Sequence, residues 1–332
     1  MLTFMRRIAV IAMLGVLTCG TILLVSGYIF HFDDRRSSHS SLVGTLTIEL
    51  PEGHGTGTAI LVDECGILTA FHVVFGPWYV TALREPSHEF VAQFTLTEVT
   101  QPDGDHPSTR ATPVVWGDYR GPDRQFRSAG EDWVYLVLDD CLGSKYGFFS
   151  VRPLEMEDLA AGSIEFSTIG YSSGRQMMDP RCRVLTGPAV YAGAWSNNCV
   201  QLVGDSGGPI FVRDTMTLIA LSSSAIAKAG EASCASSMIS NVRIRNQGAT
   251  SCANLAVPLS PAIASRISDA MVAVGVQRVL SKLGYDPGPL GAVDEPEARA
   301  AIEEAQRSIG LSVTGEPSHA LWGVLRLRAS MI

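Results

Sequence analysis

The chain has 332 residues, 46% of them hydrophobic and 17% charged, with 25 basic against 33 acidic side chains for a net charge of −8. That length admits a sizeable core plus a small second domain, and the composition is that of a folded, not a disordered, protein. The acidic balance and the lack of any basic stripe in the sequence exclude nucleic acid as a partner.

Arg6 and Arg7 precede an apolar run without charge from Ile8 to Phe30. Its length suits a membrane-crossing helix, whereas the hydrophobic region of a secretory signal is usually shorter. Residues 1–30 are expected to form a signal anchor, with the two arginines inside and the rest of the chain outside. A cleaved signal peptide is the alternative, and Val25-Ser26-Gly27 is the nearest approach to a cleavage site. Polar residues 31–41, HFDDRRSSHSS, read as a linker.

From 42 to 264 the chain runs in short apolar stretches cut by Gly, Pro, Asp and Ser: GTLTIEL, GTAILV, GILTAFHVV, FVAQFTL, DWVYLVL and TLIALSSS. Brevity and β-branched content predict an all-β barrel or sandwich, not βαβ units. Residues 100–131, polar and rich in Pro and Gly, read as a long surface loop, and residues 234–252 as a loop or hairpin. Beyond Cys19, the cysteines are Cys65, Cys141, Cys182, Cys199, Cys234 and Cys252. An even number in an exported segment reads as disulfides, with the connectivity open. Neighbours in sequence favour Cys182–Cys199 and Cys234–Cys252, which leaves Cys65–Cys141. No C-x-x-C or paired-histidine spacing occurs, so neither a metal nor a cofactor is expected.

Near Pro261 the texture becomes helical, in AIASRISDAMVAVGVQRVLSKLGY. A second helix is predicted with Asp294 as its cap and Pro296 in the first turn, turning Ala298, Ile302, Ala305 and Ile309 inward and stopping at Gly310. A third begins near Glu316-Pro317 and is expected to turn Leu321, Val324 and Leu325 inward. A small three-helix domain over residues 270–328 follows.

Chemistry centres on QLVGDSGGPIFV, Gln201 to Val212. Gly207 and Gly208 allow a sharp turn and a close backbone approach, and Pro209 leads into a short buried strand. A serine on such a turn, Ser206, is exposed where backbone N–H groups converge, a build suited to a nucleophile beside an oxyanion hole. Taken alone, the stretch is better read as a glycine-rich turn with an ordinary serine.

GDSGGP matches, residue for residue, the nucleophile motif of chymotrypsin-like serine proteases. GILTAFHVV resembles that family's segment carrying the histidine, at His72, and EDWVYLVL the segment carrying its aspartate, at Asp132. GHGTGTAIL resembles a neighbouring strand, and the order His, Asp, Ser is the family's own. The resemblance, over 42–264, implies a two-barrel all-β fold and a His72–Asp132–Ser206 triad that hydrolyses protein or peptide substrates. It implies an oxyanion hole from the N–H groups of Gly204 and Ser206, pocket residues at Val200 and Gln201, and a substrate-pairing strand at Ser222, Ser223 and Ser224. Neither Val200 nor Gln201 offers a charge, so small or uncharged side chains are the expected preference. The chain departs from the family at Val73-Val74, where many members have a cysteine. The interval from Leu42 to Gly55 is too short for the activation segment of animal members, so Asp205 is expected to find local partners.

Val276 to Leu325 resembles the three-helix peptidoglycan-binding domain of bacterial wall enzymes, through L-x-x-L-G-Y, a P-G-P turn and QRSIGLSVTG. It departs at Ala292, Glu295 and Ala305. Together the resemblances imply a bacterial serine endopeptidase on a single-pass inner-membrane anchor, its catalytic domain in the periplasm, or a secreted form after cleavage. Its expected partners are protein substrates, peptidoglycan and the membrane. The rival reading is an inactive protease-like binding or scaffold protein of the wall.

Overall fold

Six short strands with alternating apolar side chains can bury one face by closing on themselves, and the first half of the chain does so. The computed structural model describes residues 40–50, 53–76, 91–119, 128–153, 166–172, 174–182, 193–197, 199, 201–213, 215, 217–227 and 252–331. Strands β1 (Val43–Leu50), β2 (Gly53–Leu61), β3 (Gly66–Thr69), β4 (Ala92–Thr95), β5 (Ser108–Trp116) and β6 (Val134–Leu138) form a closed antiparallel barrel in the order β1-β2-β3-β6-β5-β4. Alternate residues point inward: Leu46 and Ile48, Ala59 and Leu61, and Val134, Leu136 and Leu138 fill the barrel with Ile67, Phe94 and Ala111. A helix of one turn and a half, α1 (Phe71–Phe75), closes one end with Phe71, Val74 and Phe75.

β5 lies inside the stretch expected to be loop. Its STRATPVVW is polar on one side and carries Pro113, which hides the alternation; the strand accommodates the proline at a register shift between Pro113 and Val115. β6 is buried on both faces, because its outward residues Tyr135 and Val137 face a second apolar cluster.

That cluster joins the barrel to a second, seven-stranded sheet. After the short helix α2 (Leu142–Tyr146), the strands are β7 (Ser150–Val151), β8 (Phe166–Ser172), β9 (Arg175–Cys182), β10 (Trp195–Asn197), β11 (Pro209–Val212), β12 (Thr217–Ala227) and β13 (Cys252–Pro258). Their order is β10-β13-β12-β11-β8-β9, with β7 parallel to β12. The closed unit among the described residues is the first barrel; the second sheet, over its described strands, is open.

Three helices end the chain: α3 (Pro261–Lys282), α4 (Pro296–Ile309) and α5 (His319–Ala329). Ser260 caps α3, its hydroxyl accepting the Ile263 N–H at 3.3 Å, with Pro261 in the first turn. α3 is two-faced. Ile263, Ile267, Ala270 and Val274 pack into the cluster shared by both sheets, while Val272, Val276 and Leu280 pack on Ala301, Ile302 and Ala305 of α4 and on Leu321 and Leu325 of α5. The boundary expected between 264 and 270 therefore falls within one continuous helix. The cap of α4 is Glu295, not Asp294, and it makes no side-chain bond. Leu321 and Leu325 of α5 are buried as expected and Ala329 completes the stripe, whereas Val324 is 43% exposed. The expected membrane segment lies in residues 1–39, outside the described residues; among the described residues no helix is long and apolar enough to cross a membrane.

Leu136 is fully buried at the barrel centre. Leu136→Ala should lower the unfolding free energy by about 2–5 kcal/mol in urea titrations, the range for a leucine truncated in a packed core.

Candidate active site

β3 runs out at Thr69 and the chain turns into α1, so His72 sits in the first helical turn and not on the strand itself. Phe71 and Val74 go into the barrel, which leaves the His72 ring at the surface of the end, 13% exposed. Opposite it a 3-10 turn, Ala129–Glu131, delivers Asp132 just before β6. The Asp132 carboxylate is fully buried and clasps the histidine twice: the His72 backbone N–H donates to Oδ1 at 2.9 Å, and Nδ1–H donates to Oδ2 at 2.7 Å. An ionised carboxylate can only accept, so this contact places the proton on Nδ1 and leaves Nε2 as a base.

Ser206 sits on a turn before β11. The Asp205 N–H donates to Leu202 O at 3.0 Å and closes residues 202–205 into a turn with Gly204 at φ +103°, the left-handed value that a type II turn demands at its third position. Gly207, at φ +85°, lies against Thr69 Oγ1 and the Thr58 carbonyl, where a Cβ would collide. Amide donors along the turn divide cleanly. Those of Asp205, Gly207 and Gly208 go to Leu202 O, Ser222 O and Asp205 O. Those of Gly204 and Ser206 have no acceptor among the described residues, which suits two donors meant for a developing oxyanion.

β12 joins Asp132 to Ser206. The Ser223 hydroxyl donates to Asp132 Oδ2, and the Ser223 carbonyl accepts the Ser206 hydroxyl at 2.9 Å. One residue thus touches both. No hydrogen bond among the described residues links His72 Nε2 to the Ser206 hydroxyl; such nucleophile–base contacts often tighten only when substrate binds. Ser222, on the strand expected to pair with substrate, bonds through its backbone to the turn that carries Ser206: its carbonyl accepts Gly207 N–H at 2.7 Å and its N–H donates to Gly208 O at 2.8 Å. Its hydroxyl accepts from Gln201 Nε2 at 3.0 Å and lies 3.3 Å from Thr168 Oγ1. Ser224 lies on β12, but its side chain and the whole of Val200 are outside the described residues.

The Cys65–Cys141 disulfide forms, linking the end of the β2–β3 turn to the cap of α2. Cys199 is buried and disulfide-bonded. Cys234 and the side chains of Cys182 and Cys252 lie outside the described residues.

Asp205 does find local partners. Its Oδ1 accepts the Ser172 hydroxyl at 2.5 Å and its Oδ2 the Leu202 N–H at 2.7 Å. Nothing in the sequence marks Ser172, or Thr58, whose hydroxyl donates to the Gly204 carbonyl at 2.7 Å. Arg266 of α3 was likewise unmarked. It stacks over the Trp133 ring at 4.7 Å, donates to Trp116 O at 2.6 Å and lies 3.5 Å from the Glu131 carboxylate, so it braces both neighbours of Asp132.

Residues 274–325 match the model of a family described as a peptidoglycan binding domain. Similar solved structures include a thermostable serine protease, AL20, from an extremophilic microorganism, at 12% identity over 70% of this chain and 96% of that one, TM-score 0.46. The protease Anisep from Arthrobacter nicotinovorans is 14% identical over 69% and 94%, TM-score 0.46. The Rv3671c protease of M. tuberculosis in its active form is 15% identical over 59% and 74%, TM-score 0.37. No curated protein sequence matches the chain.

Burial lifts the Asp205 carboxyl to about 6, against the opposing pull of the Ser172 hydroxyl and the Leu202 amide. Because this lies above the ordinary carboxylate value, the folded state binds the proton more tightly than the unfolded one. The cost of the buried charge is therefore full above pH 6 and vanishes as the pH falls towards 4. In urea unfolding from pH 7 to 4, wild type should gain about 2 kcal/mol relative to Asp205→Asn, a little under the equivalent of two pKa units because the unfolded carboxyl is only partly protonated at pH 4. Parallel curves for the two proteins would contradict this.

Proposed function

We propose that the chain is a serine endopeptidase of the two-barrel chymotrypsin-like type, acting through Ser206, His72 and Asp132. The observation that carries this is the three-way junction at Asp132. One buried carboxylate holds His72 by ring and backbone, and the residue that also binds it, Ser223, accepts the hydroxyl of Ser206. A turn of the Ser206 side chain away from Ser223 O brings its hydroxyl to His72 Nε2, which takes the proton as Oγ attacks the scissile carbonyl. Negative charge developing on that oxygen meets the N–H groups of Gly204 and Ser206. The imidazolium, steadied by Asp132, gives its proton to the leaving amine, and water then hydrolyses the acyl-enzyme by the same route.

The neutral polar pair Gln201–Ser222 supports a preference for small or uncharged side chains. The family match at 274–325 supports a wall tether. With residues 1–30 as an anchor, the catalytic unit, taken as 42–264, works in the periplasm. The parking of the Ser206 hydroxyl on Ser223 favours one other reading, a protease shell retained for binding alone.

Labelling by a fluorophosphonate separates the two. Wild type should react at a single serine and Ser206→Ala should not, while a wild-type protein that never reacts would establish the binding-shell reading. Asp132→Asn should lower kcat on casein by about 10⁴, the loss seen when the orienting acid is neutralised. The full chain should co-sediment with purified peptidoglycan and be released by soluble muropeptide.

A further inference from the structure

We infer that Thr58 is a positioning residue for the reaction proposed above, on which this inference rests: its hydroxyl holds the Gly204 limb of the turn that presents the oxyanion donors. Thr58 lies on β2 of the first barrel, fully buried, on the face turned towards β8. All its polar atoms are engaged, and three of its four bonds leave its own barrel. Its N–H donates to the Ser206 carbonyl at 2.9 Å. Its carbonyl accepts the Thr69 hydroxyl at 2.6 Å. Its own hydroxyl accepts the Tyr171 N–H at 2.9 Å and donates to the Gly204 carbonyl at 2.7 Å.

The direction of that last bond is not free. A backbone amide can only donate and a carbonyl can only accept, so the Thr58 proton must point at Gly204. The bond therefore links the barrel that carries His72 and Asp132 to the turn that carries Ser206, across 146 residues of sequence. It meets the turn at the one residue whose positive φ sets the direction of a proposed oxyanion donor. Gly204 is also wedged against the Tyr171 carbonyl, so the Tyr171 peptide and the Thr58 hydroxyl together enclose it. Oxyanion donors are effective only when held in place before charge develops. Without the hydroxyl, the buried Tyr171 N–H is left unpaired and the part-buried Gly204 carbonyl loses the partner that ties its turn to the barrel.

The test is the kinetics of fluorophosphonate labelling of the full chain, with kinact and KI resolved. Thr58→Val keeps the shape and deletes the hydroxyl. It should lower kinact by about 10–100-fold, short of the 10²–10³ lost when an oxyanion donor is removed outright, and leave KI unchanged. Thr58→Ser, which restores the hydroxyl, should recover the wild-type kinact. A purely structural role for Thr58 would lower the melting temperature without moving kinact of the folded fraction. Wild-type kinact in folded Thr58→Val, or a change confined to KI, overturns the inference while leaving the protease reading intact. If wild type itself does not label, the protease reading fails and this inference with it. Should Thr58→Val not unfold cooperatively, Thr58→Cys, with a weaker donor of similar size, should show a reduced kinact, and an unchanged one overturns the inference.

Discussion

A carboxylate with no exposed surface is the constraint around which the site is arranged. Burying such a charge costs several kcal/mol unless hydrogen-bond donors surround it, and Asp132 draws three: the His72 amide, the His72 ring and the Ser223 hydroxyl. Two come from one residue, so satisfying the charge also fixes where the imidazole stands. The third comes from a strand of the second sheet, so the same charge draws the two sheets together at the point where Ser206 emerges. The backbone either side is secured independently: the Trp133 carbonyl accepts the Gly117 amide at 2.9 Å, and the Trp133 indole donates to Glu131 at 3.1 Å.

Asp205, next to Ser206 in the chain, is a second buried carboxylate with a different solution. It has a hydroxyl and an amide for partners, and burial keeps its affinity for a proton high. The contrast follows from position. Asp132 is ringed by donors from His72 and Ser223, whereas Asp205 braces a turn, a task that a protonated carboxyl with one donor and one acceptor can share.

Local features of the sequence carried their meaning into the fold, and distant ones did not. GDSGGP, the apolar run ending at His72 and the apolar run after Asp132 each declare a turn or strand from their own composition, and each is where it was expected. Cys65–Cys141 came by elimination and forms. Thr58, Ser172 and Arg266 could not be found this way, because their importance lies in bonds to residues 146, 33 and 150 positions away. β5 is hidden by Pro113 and its polar face, and on α5 Leu321 and Leu325 are buried as expected while the apolar Val324 is not. Periodicity shows that the helix from Pro261 exists, but not that its two halves serve two different cores.

That shared helix has a geometric consequence. At 22 residues and 1.5 Å per residue, α3 is a strut about 33 Å long, with no glycine-rich swivel between the part embedded in the sheets and the part embedded in the helical module. An enzyme on a flexible leash sweeps a sphere and meets substrates at any height. Here whatever grips α4 and α5 sets the reach and bearing of Ser206 together, at one fixed stand-off from the gripped surface.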